Sequence, residues 1–502
     1  MNNNTQSEPA SDAPHHLTRR RLLQASMAGV AVTTLRPWLS WAVPSGVLVN
    51  DVTLLNPVWV DRLLAPRTTD EIQQALATWD GPVCIGGGRY SMGGQIATEH
   101  SLHLDMRQFN RVLYYSPEKR VVRVQTGIRW RDLQSVIDQH DLSVKIMQSY
   151  ANFTVGGALS VNAHGRYVGA GPVINSVRAL QLVLADGSVV DASRDTNADL
   201  FHAAIGGYGA LGIITEAELD LAPNVIMERK VRRMPVADYP RFFNDQVRGN
   251  KLAVLHNADL VPPDFDQATS VTWLSSDKAL TVSDRLVPPG QSYKFDQAIM
   301  WGVAKLPGGQ SLRKDVVDPL RYLSQPVVRR NYEASLDVAS LGPIATGNST
   351  YALQEYFVPI AQFDAFVLRM AAILRTHRAH SVNVSVRHAP SDHGSLLGWA
   401  REEVFSFVLY YWQRVSAKER EKVGTWTREL IDAALSLGGT YYLPYQLHAT
   451  PEQFARAYPN APRLFALKAQ VDPSNRFRNK LWDKYIPGSV SSVSCRARSG
   501  QS

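Results

Sequence analysis

Residues 86–95 read Gly86-Gly87-Gly88-Arg89-Tyr90-Ser91-Met92-Gly93-Gly94-Gln95. Five glycines in ten positions free this backbone to bring N–H groups close to a phosphate-bearing ligand. An apolar run ending in Cys84 and Ile85 precedes the loop and reads as a short buried strand. The Gly-Lys-Ser/Thr ending of a triphosphate loop is missing. A Gly-x-Gly-x-x-Gly dinucleotide turn would open a helix here, whereas Ile96 to Asp105 reads as loop and then strand. The chemistry that fits is a flavin pyrophosphate on an irregular loop.

Other chemistries find no support. The 13 histidines form no His-x-x-x-His pair with a helical acid, so a metal site is not expected. Two cysteines, Cys84 in a core strand and Cys495 in a polar tail, exclude a disulfide framework and a thiolate-rich site. The net charge of +8 comes without basic clusters beyond the N-terminus, which argues against nucleic acid as a partner.

The elements around the loop can be read from pattern. Thr68 and Glu71 form a capping box for a helix with Ile72, Leu76 and Trp79 on one face. Val121 to Thr126 alternates as a strand, and Trp130 to His140 reads as a helix. Val177 to Leu184, an Asp186-Gly187 turn and Val189 to Asp191 make a hairpin. Asn197 to Ala204 is helical, and Gly212 to Leu221 is a strand closed by Ala222-Pro223. After Pro223 glycine thins and helices lengthen, at Ala361 to Arg375 and Ala417 to Leu437, with strands Thr350 to Val358 and Val404 to Tyr411 between them. At 502 residues, two domains are expected.

The N-terminus carries a separate signal. Residues 1–17 are polar, and Thr18-Arg19-Arg20-Arg21-Leu22-Leu23-Gln24 leads into an uncharged stretch to Leu35. That stretch is too short to span a membrane and resembles a twin-arginine export signal. Ser40-Trp41-Ala42 is a weak cleavage candidate, so residues 1–46 are read as a leader and disordered segment, cleaved or kept as an anchor. A periplasmic or secreted location follows as an expectation.

A second glycine segment, Asn152-Phe153-Thr154-Val155-Gly156-Gly157-Ala158-Leu159-Ser160-Val161-Asn162-Ala163-His164-Gly165, precedes Asp186-Gly187-Ser188 and then Gly206-Gly207-Tyr208-Gly209-Ala210-Leu211-Gly212-Ile213-Ile214. In this order the motifs resemble the flavin domain of the vanillyl-alcohol oxidase/p-cresol methylhydroxylase superfamily, nearest to the aldonolactone and alditol oxidases and decaprenylphosphoryl-ribose oxidase. The likeness covers residues 48–224 and resumes at Asp472-Pro473-Ser474-Asn475-Arg476-Phe477-Arg478-Asn479. It implies an α+β, two-domain PCMH-type fold: an FAD-binding domain at 47–224, a substrate domain of a sheet covered by helices at 225–455, a returning segment at 456–485 and a mobile tail at 486–502.

The resemblance also implies a residue set for FAD. Gly87, Gly88, Arg89, Tyr90 and Ser91 would hold the pyrophosphate, with Gly94, Gln95 and Thr126 beside them. Val155, Gly156, Gly157, Ala163, His164 and Gly165 would line the ribityl chain and ring, with Ile213, Ile214 and Asn479 completing the set. Many relatives carry a histidine, tethered to the flavin, where this chain has Tyr90. A phenol with pKa near 10 is a poorer nucleophile at neutral pH, so FAD is expected to bind without a covalent link.

In sugar-oxidising relatives the second domain supplies a Glu-x-Arg pair and a lysine. Here the matching strand is Asn383-Val384-Ser385-Val386-Arg387, with Ser385 where the Glu would stand, and Tyr445 or Gln446 takes the lysine's place. The expected catalytic set is Arg387, Tyr445, Ser385 and His164. Gln354 and Tyr356 join it from one face of their strand, with Glu355 on the other face as the alternative base. Tyr410, Tyr411 and Trp412 add aromatic bulk suited to a lipid-linked or aromatic substrate. The functional expectation is hydride transfer from an alcohol-type carbon (sugar, lactone, polyol or lipid-linked, in the manner of D-arabinonolactone oxidation) to flavin N5. Molecular oxygen or a quinone-type carrier would accept the electrons. A dehydrogenase, a C=C reductase and a non-catalytic flavin-binding protein are the alternatives.

Overall fold

The computed structural model describes residues 46–293, 302, 309–341, 345 and 347–487. The arginine-rich motif at 19–21, the cleavage candidate at 40–42 and Cys495 lie outside them. Among the described residues no helix is long and apolar enough to cross a membrane.

Among the described residues the first half builds a two-stranded pair, Val47–Val49 with Val58–Val60, and two larger sheets. Arg62–Leu64, Leu102–Asp105 and Val83–Gly86 form a parallel three-stranded sheet with Leu102–Asp105 in the middle. The helix Thr69–Ala77 packs Ile72 and Leu76 against Val83, Leu102 and Leu104. Thr68 caps that helix by accepting from Glu71 N, but the Glu71 carboxylate accepts from Arg67 N at 2.7 Å, so only half of the expected capping box forms.

The second sheet runs Val189–Ser193, Val177–Val183, Ile213–Pro223, Val121–Gln125, Val112–Ser116, antiparallel throughout, with Leu142–Val144 on the far end of Ile213–Pro223. The hairpin at Asp186-Gly187 forms because Gly187 takes φ +86° and Asp186 Oδ1 accepts from Ser188 N.

The second half is one antiparallel sheet of eight strands. Its order is Val327–Arg329, Ile226–Pro235, Gln267–Ser275, Ala253–Leu260, Ser381–Ala389, Val404–Arg414, Ser349–Pro359, Thr440–Tyr441. The helices Phe363–Thr376 and Ala417–Ser436 cover one face, where Tyr356 meets Phe366 and Tyr411 meets Trp426. The other face turns toward the glycine loops. Helices on one side and the first half of the chain on the other leave the central strands buried on both faces.

The chain then returns to its first half. Phe477 bridges Val83 in parallel, Val83 N donates to Arg476 O at 2.7 Å, and Arg478 N donates to Val83 O at 3.0 Å. The arrangement is the α+β, two-domain architecture expected of an FAD-binding fold.

Candidate active site

A cleft of about 1560 Å3, its open mouth included, lies where the glycine loops face the eight-stranded sheet. Gly87, Gly88, Arg89, Tyr90, Ser91 and Gln95 border it from the first loop, and Gly156, Gly157, Ala163 and His164 from the second. The two loops interlock at glycine. A Cβ on Gly87 would stand 2.3 Å from Thr154 Oγ1, and one on Gly156 would stand 2.9 Å from Thr126 Cβ. Thr154 is held there because it caps the helix Val155–Ser160, accepting from Gly157 N at 3.3 Å. Thr126 is held by its hydroxyl, which donates to Ile214 O. Both Thr126 and Ile214 border the cleft.

Between Gly87 and Ser91 none of the five backbone N–H groups donates to an acceptor among the described residues. Arg89 sits at φ +61°, and its guanidinium turns to Asp105 at 3.1 Å and to the His103 ring at 3.3 Å. His103, buried beside Arg89, is pushed down to about 4 and stays neutral. Five free amide donors on a cleft wall match the oxygens of a diphosphate without a lysine. The residues present therefore fit FAD.

Several expected cofactor residues act behind this wall. Gly94 takes φ +77° and donates its N–H to Asp51. Val155 and Ile213 are packed in apolar cores. Gly165 makes room for Met147 O, which would lie 2.1 Å from its Cβ. Asn479 caps the helix Lys480–Tyr485 and donates to Tyr208 O at 2.9 Å. That last bond belongs to a set. Trp482 donates to Gly207 O at 3.2 Å and Lys468 to Ala210 O at 2.9 Å, so the returning segment grips the turn that brings Tyr208 and Gly209 to the cleft. Burial lowers the Lys468 pKa, opposed by Asp472 at 2.6 Å.

The sheet face reverses one expectation. Strand Ser349–Pro359 alternates as anticipated, but Tyr351, Leu353 and Glu355 meet the cleft, while Tyr356 lies under Phe366 on the helix side and Gln354 shares that face. Arg387 and Tyr445 border the cleft. Ser385 lies level with Asp259 and Val408 and does not reach it. Glu355 also pairs with Val408, so Glu355 and Ser385 stand at the same level on either side of Val404–Arg414. A carboxylate is thus present at that level, two strands from the Ser385 position where the resemblance leads one to expect it. Gln446 donates to Met92 O and braces the first loop; Tyr411 packs on Trp426 away from the cleft, while Trp412 does not border it but packs with Tyr351 and Tyr410, which do.

Glu355 is the centre of the polar groups. It is 2% exposed, and His164 Nε2 lies 2.6 Å from Oε1. Ser406 Oγ donates to the same oxygen at 2.6 Å, and Tyr445 OH donates to Oε2 at 3.0 Å. Burial alone would raise the carboxyl, but His164, Arg387 and the Ser406 hydroxyl together hold it below the ordinary range. Its contribution to stability is therefore complete above the unfolded-chain value near 4.3 and is lost as pH falls through the lower folded value. Tyr445 is driven well above its ordinary value by burial and by Glu355, so it stands as a neutral phenol. His164 is fixed by aromatic neighbours, Trp399 at 4.9 Å and Phe357 at 5.6 Å.

Ser406, Tyr208, Tyr442, Tyr150 and Tyr351 were not singled out by sequence. Tyr442 and Tyr208 each had a signal, their places in Tyr441-Tyr442-Leu443-Pro444-Tyr445 and Gly206-Gly207-Tyr208-Gly209. Ser406 and Tyr351 are ordinary strand residues placed by register, and Tyr150 lies in a bend between elements.

The sequence pattern of an FAD-binding domain matches residues 60–193. The chain is 33% identical to L-gulonolactone oxidase of Mus musculus over 161 residues, 32% of this chain and 36% of that protein. It is 29% identical to cytokinin dehydrogenase 1 of Arabidopsis thaliana over 194 residues, 37% of this chain and 34% of that protein. Those matches span only about a third of the relatives' length. Against decaprenylphosphoryl-beta-D-ribose oxidase of Mycolicibacterium smegmatis, identity is 24% over 469 residues, 89% of this chain and 97% of that protein. With the amide cradle and the interlocked glycines, these likenesses make FAD the cofactor and residues 60–193 an FAD-binding domain similar to the one these oxidoreductases carry.

Proposed function

We propose that the chain oxidises an alcohol-type CH–OH donor with FAD bound without a covalent link. The observation that carries this reading is the position of Tyr445, bordering the cleft with its hydroxyl on the Glu355 carboxylate. Bound FAD supplies the acceptor for a hydride leaving the carbinol carbon. Tyr445 takes the hydroxyl proton on its phenol oxygen as its own proton passes to Glu355, whose negative charge His164 and Ser406 stabilise. Arg387 supplies a positive charge beside the oxygen that becomes the carbonyl.

Support for non-covalent FAD comes from Tyr90. Its phenol is raised by burial and by Asp337, and its ring stands edge-on to Phe153 at 4.7 Å. A protonated phenol held in this way is a weak nucleophile.

The test is anaerobic mixing with an alcohol panel. At least one alcohol is expected to bleach the flavin absorption and yield the matching carbonyl compound. Failure of every alcohol, with the flavin still reducible by dithionite, overturns the reading. Reoxidation by air or by a quinone analogue then identifies the electron acceptor. Arg19-Arg20-Arg21 supports export of the folded holoprotein by the twin-arginine route. Changing Arg19 and Arg20 to lysine is expected to stop secretion, and unaltered secretion removes that proposal.

A further inference from the structure

The sheet face bordering the cleft is chemically divided. Its positions on Ser349–Pro359 run Tyr351, Leu353, Glu355, spanning about 13 Å at 3.3 Å per residue. Tyr410 lies opposite Leu353, and its ring stacks on Tyr351 with centroids 5.3 Å apart and planes 19° from parallel. Phe153 and Val338 border the same cleft. Glu355 and its partners Tyr445, His164 and Ser406 form one polar cluster, with Arg387 beside it. From there to Tyr351 the strand offers hydrocarbon and ring surface.

We infer that the substrate is an alcohol with one carbinol group at the end of an extended apolar body, the body lying along Leu353, Tyr351 and Tyr410. This rests on the alcohol-oxidation reading and adds a substrate class to it. A polyol laid along these residues would find only the hydroxyls of Tyr351 and Tyr410 as partners, the latter buried with no bond of its own among the described residues, and each further hydroxyl would lose its water at roughly fivefold to more than a hundredfold in affinity. Each methylene buried there gains about fourfold. The division therefore favours an apolar tail over a chain of hydroxyls.

The test uses the flavin-loaded full chain and two readouts: perturbation of the flavin spectrum for binding, and anaerobic bleaching for turnover. The probes are prenol, geraniol and farnesol, then benzyl and cinnamyl alcohol, then xylitol and L-gulonolactone. The Kd is expected to tighten by roughly 1000-fold for the five added carbons from prenol to geraniol if the tail is prenyl, or from benzyl to cinnamyl alcohol by a smaller factor if it is aryl. Leu353→Asp should abolish that dependence at unchanged flavin content. Leu353→Ala should weaken it in the same direction if the aspartate variant does not fold. Affinity independent of tail length, or xylitol or L-gulonolactone bound as tightly as geraniol and cinnamyl alcohol, overturns the inference. Bleaching by xylitol alone overturns only this inference and leaves alcohol oxidation standing. Length-dependent binding without bleaching by any alcohol does the reverse.

Discussion

Replacing Gly87 by alanine is expected to yield protein that purifies largely without flavin. The new methyl would stand 2.3 Å from Thr154 Oγ1, a separation that real Cβ atoms do not tolerate. Thr154 cannot simply rotate away, because its hydroxyl caps the helix carrying Gly156 and Gly157. Either the first loop lifts, spoiling the row of amides from Gly87 to Ser91, or the cap breaks and the second loop moves. Overpacking of this kind costs about 1–3 kcal/mol. Charged wholly to cofactor binding, that is roughly a fivefold to more than a hundredfold loss of FAD affinity. Titration of the apoprotein with FAD, followed by flavin absorbance, measures it. A variant with wild-type flavin content and affinity would show that the two loops do not meet as described.

Tyr445→Phe should retain flavin but reduce it far more slowly. The change removes only the hydroxyl that donates to Glu355 Oε2 at 3.0 Å, the group that receives the substrate proton in the proposed reaction. Loss of a positioned proton-transfer group costs about 10²- to 10⁴-fold in rate. The measurement is the anaerobic flavin-reduction rate at saturating alcohol, compared over pH. In the wild type the rate should fall on the acid side as Glu355 takes up a proton, and because that carboxyl is held low the fall should begin below the ordinary glutamate range. In the variant this limb should flatten. A variant within about threefold of wild type would move the proton acceptor away from Tyr445.

Much of the cradle was legible because glycine is informative where backbone must approach backbone. Gly87 and Gly156 are needed at their positions for space, and their spacing in the chain announced a loop that holds a ligand. Gly165 and Gly94 look the same in sequence, yet they serve Met147 O and Asp51. A glycine reports a close approach without naming what approaches.

The substrate side was less legible for a different reason. Alternation along Ser349–Pro359 separates Gln354 and Tyr356 from Tyr351, Leu353 and Glu355, but both faces of that strand are buried. Hydrophobicity therefore gives no hint of which face meets the helices and which meets the cleft. The partners of Glu355 are equally remote, since His164 precedes it by 191 residues and Ser406 follows by 51. Only the register through Val408 reveals that Glu355 stands level with Ser385.

The central claim is that the amides from Gly87 to Ser91 hold FAD in this cleft without a bond to Tyr90. Acid precipitation of the purified holoprotein tests it most directly, with flavin counted in the supernatant and in the pellet. One FAD per chain in the supernatant is the predicted result. Flavin retained in the pellet would contradict non-covalent binding, and colourless, folded protein that takes up no added FAD would contradict the site itself.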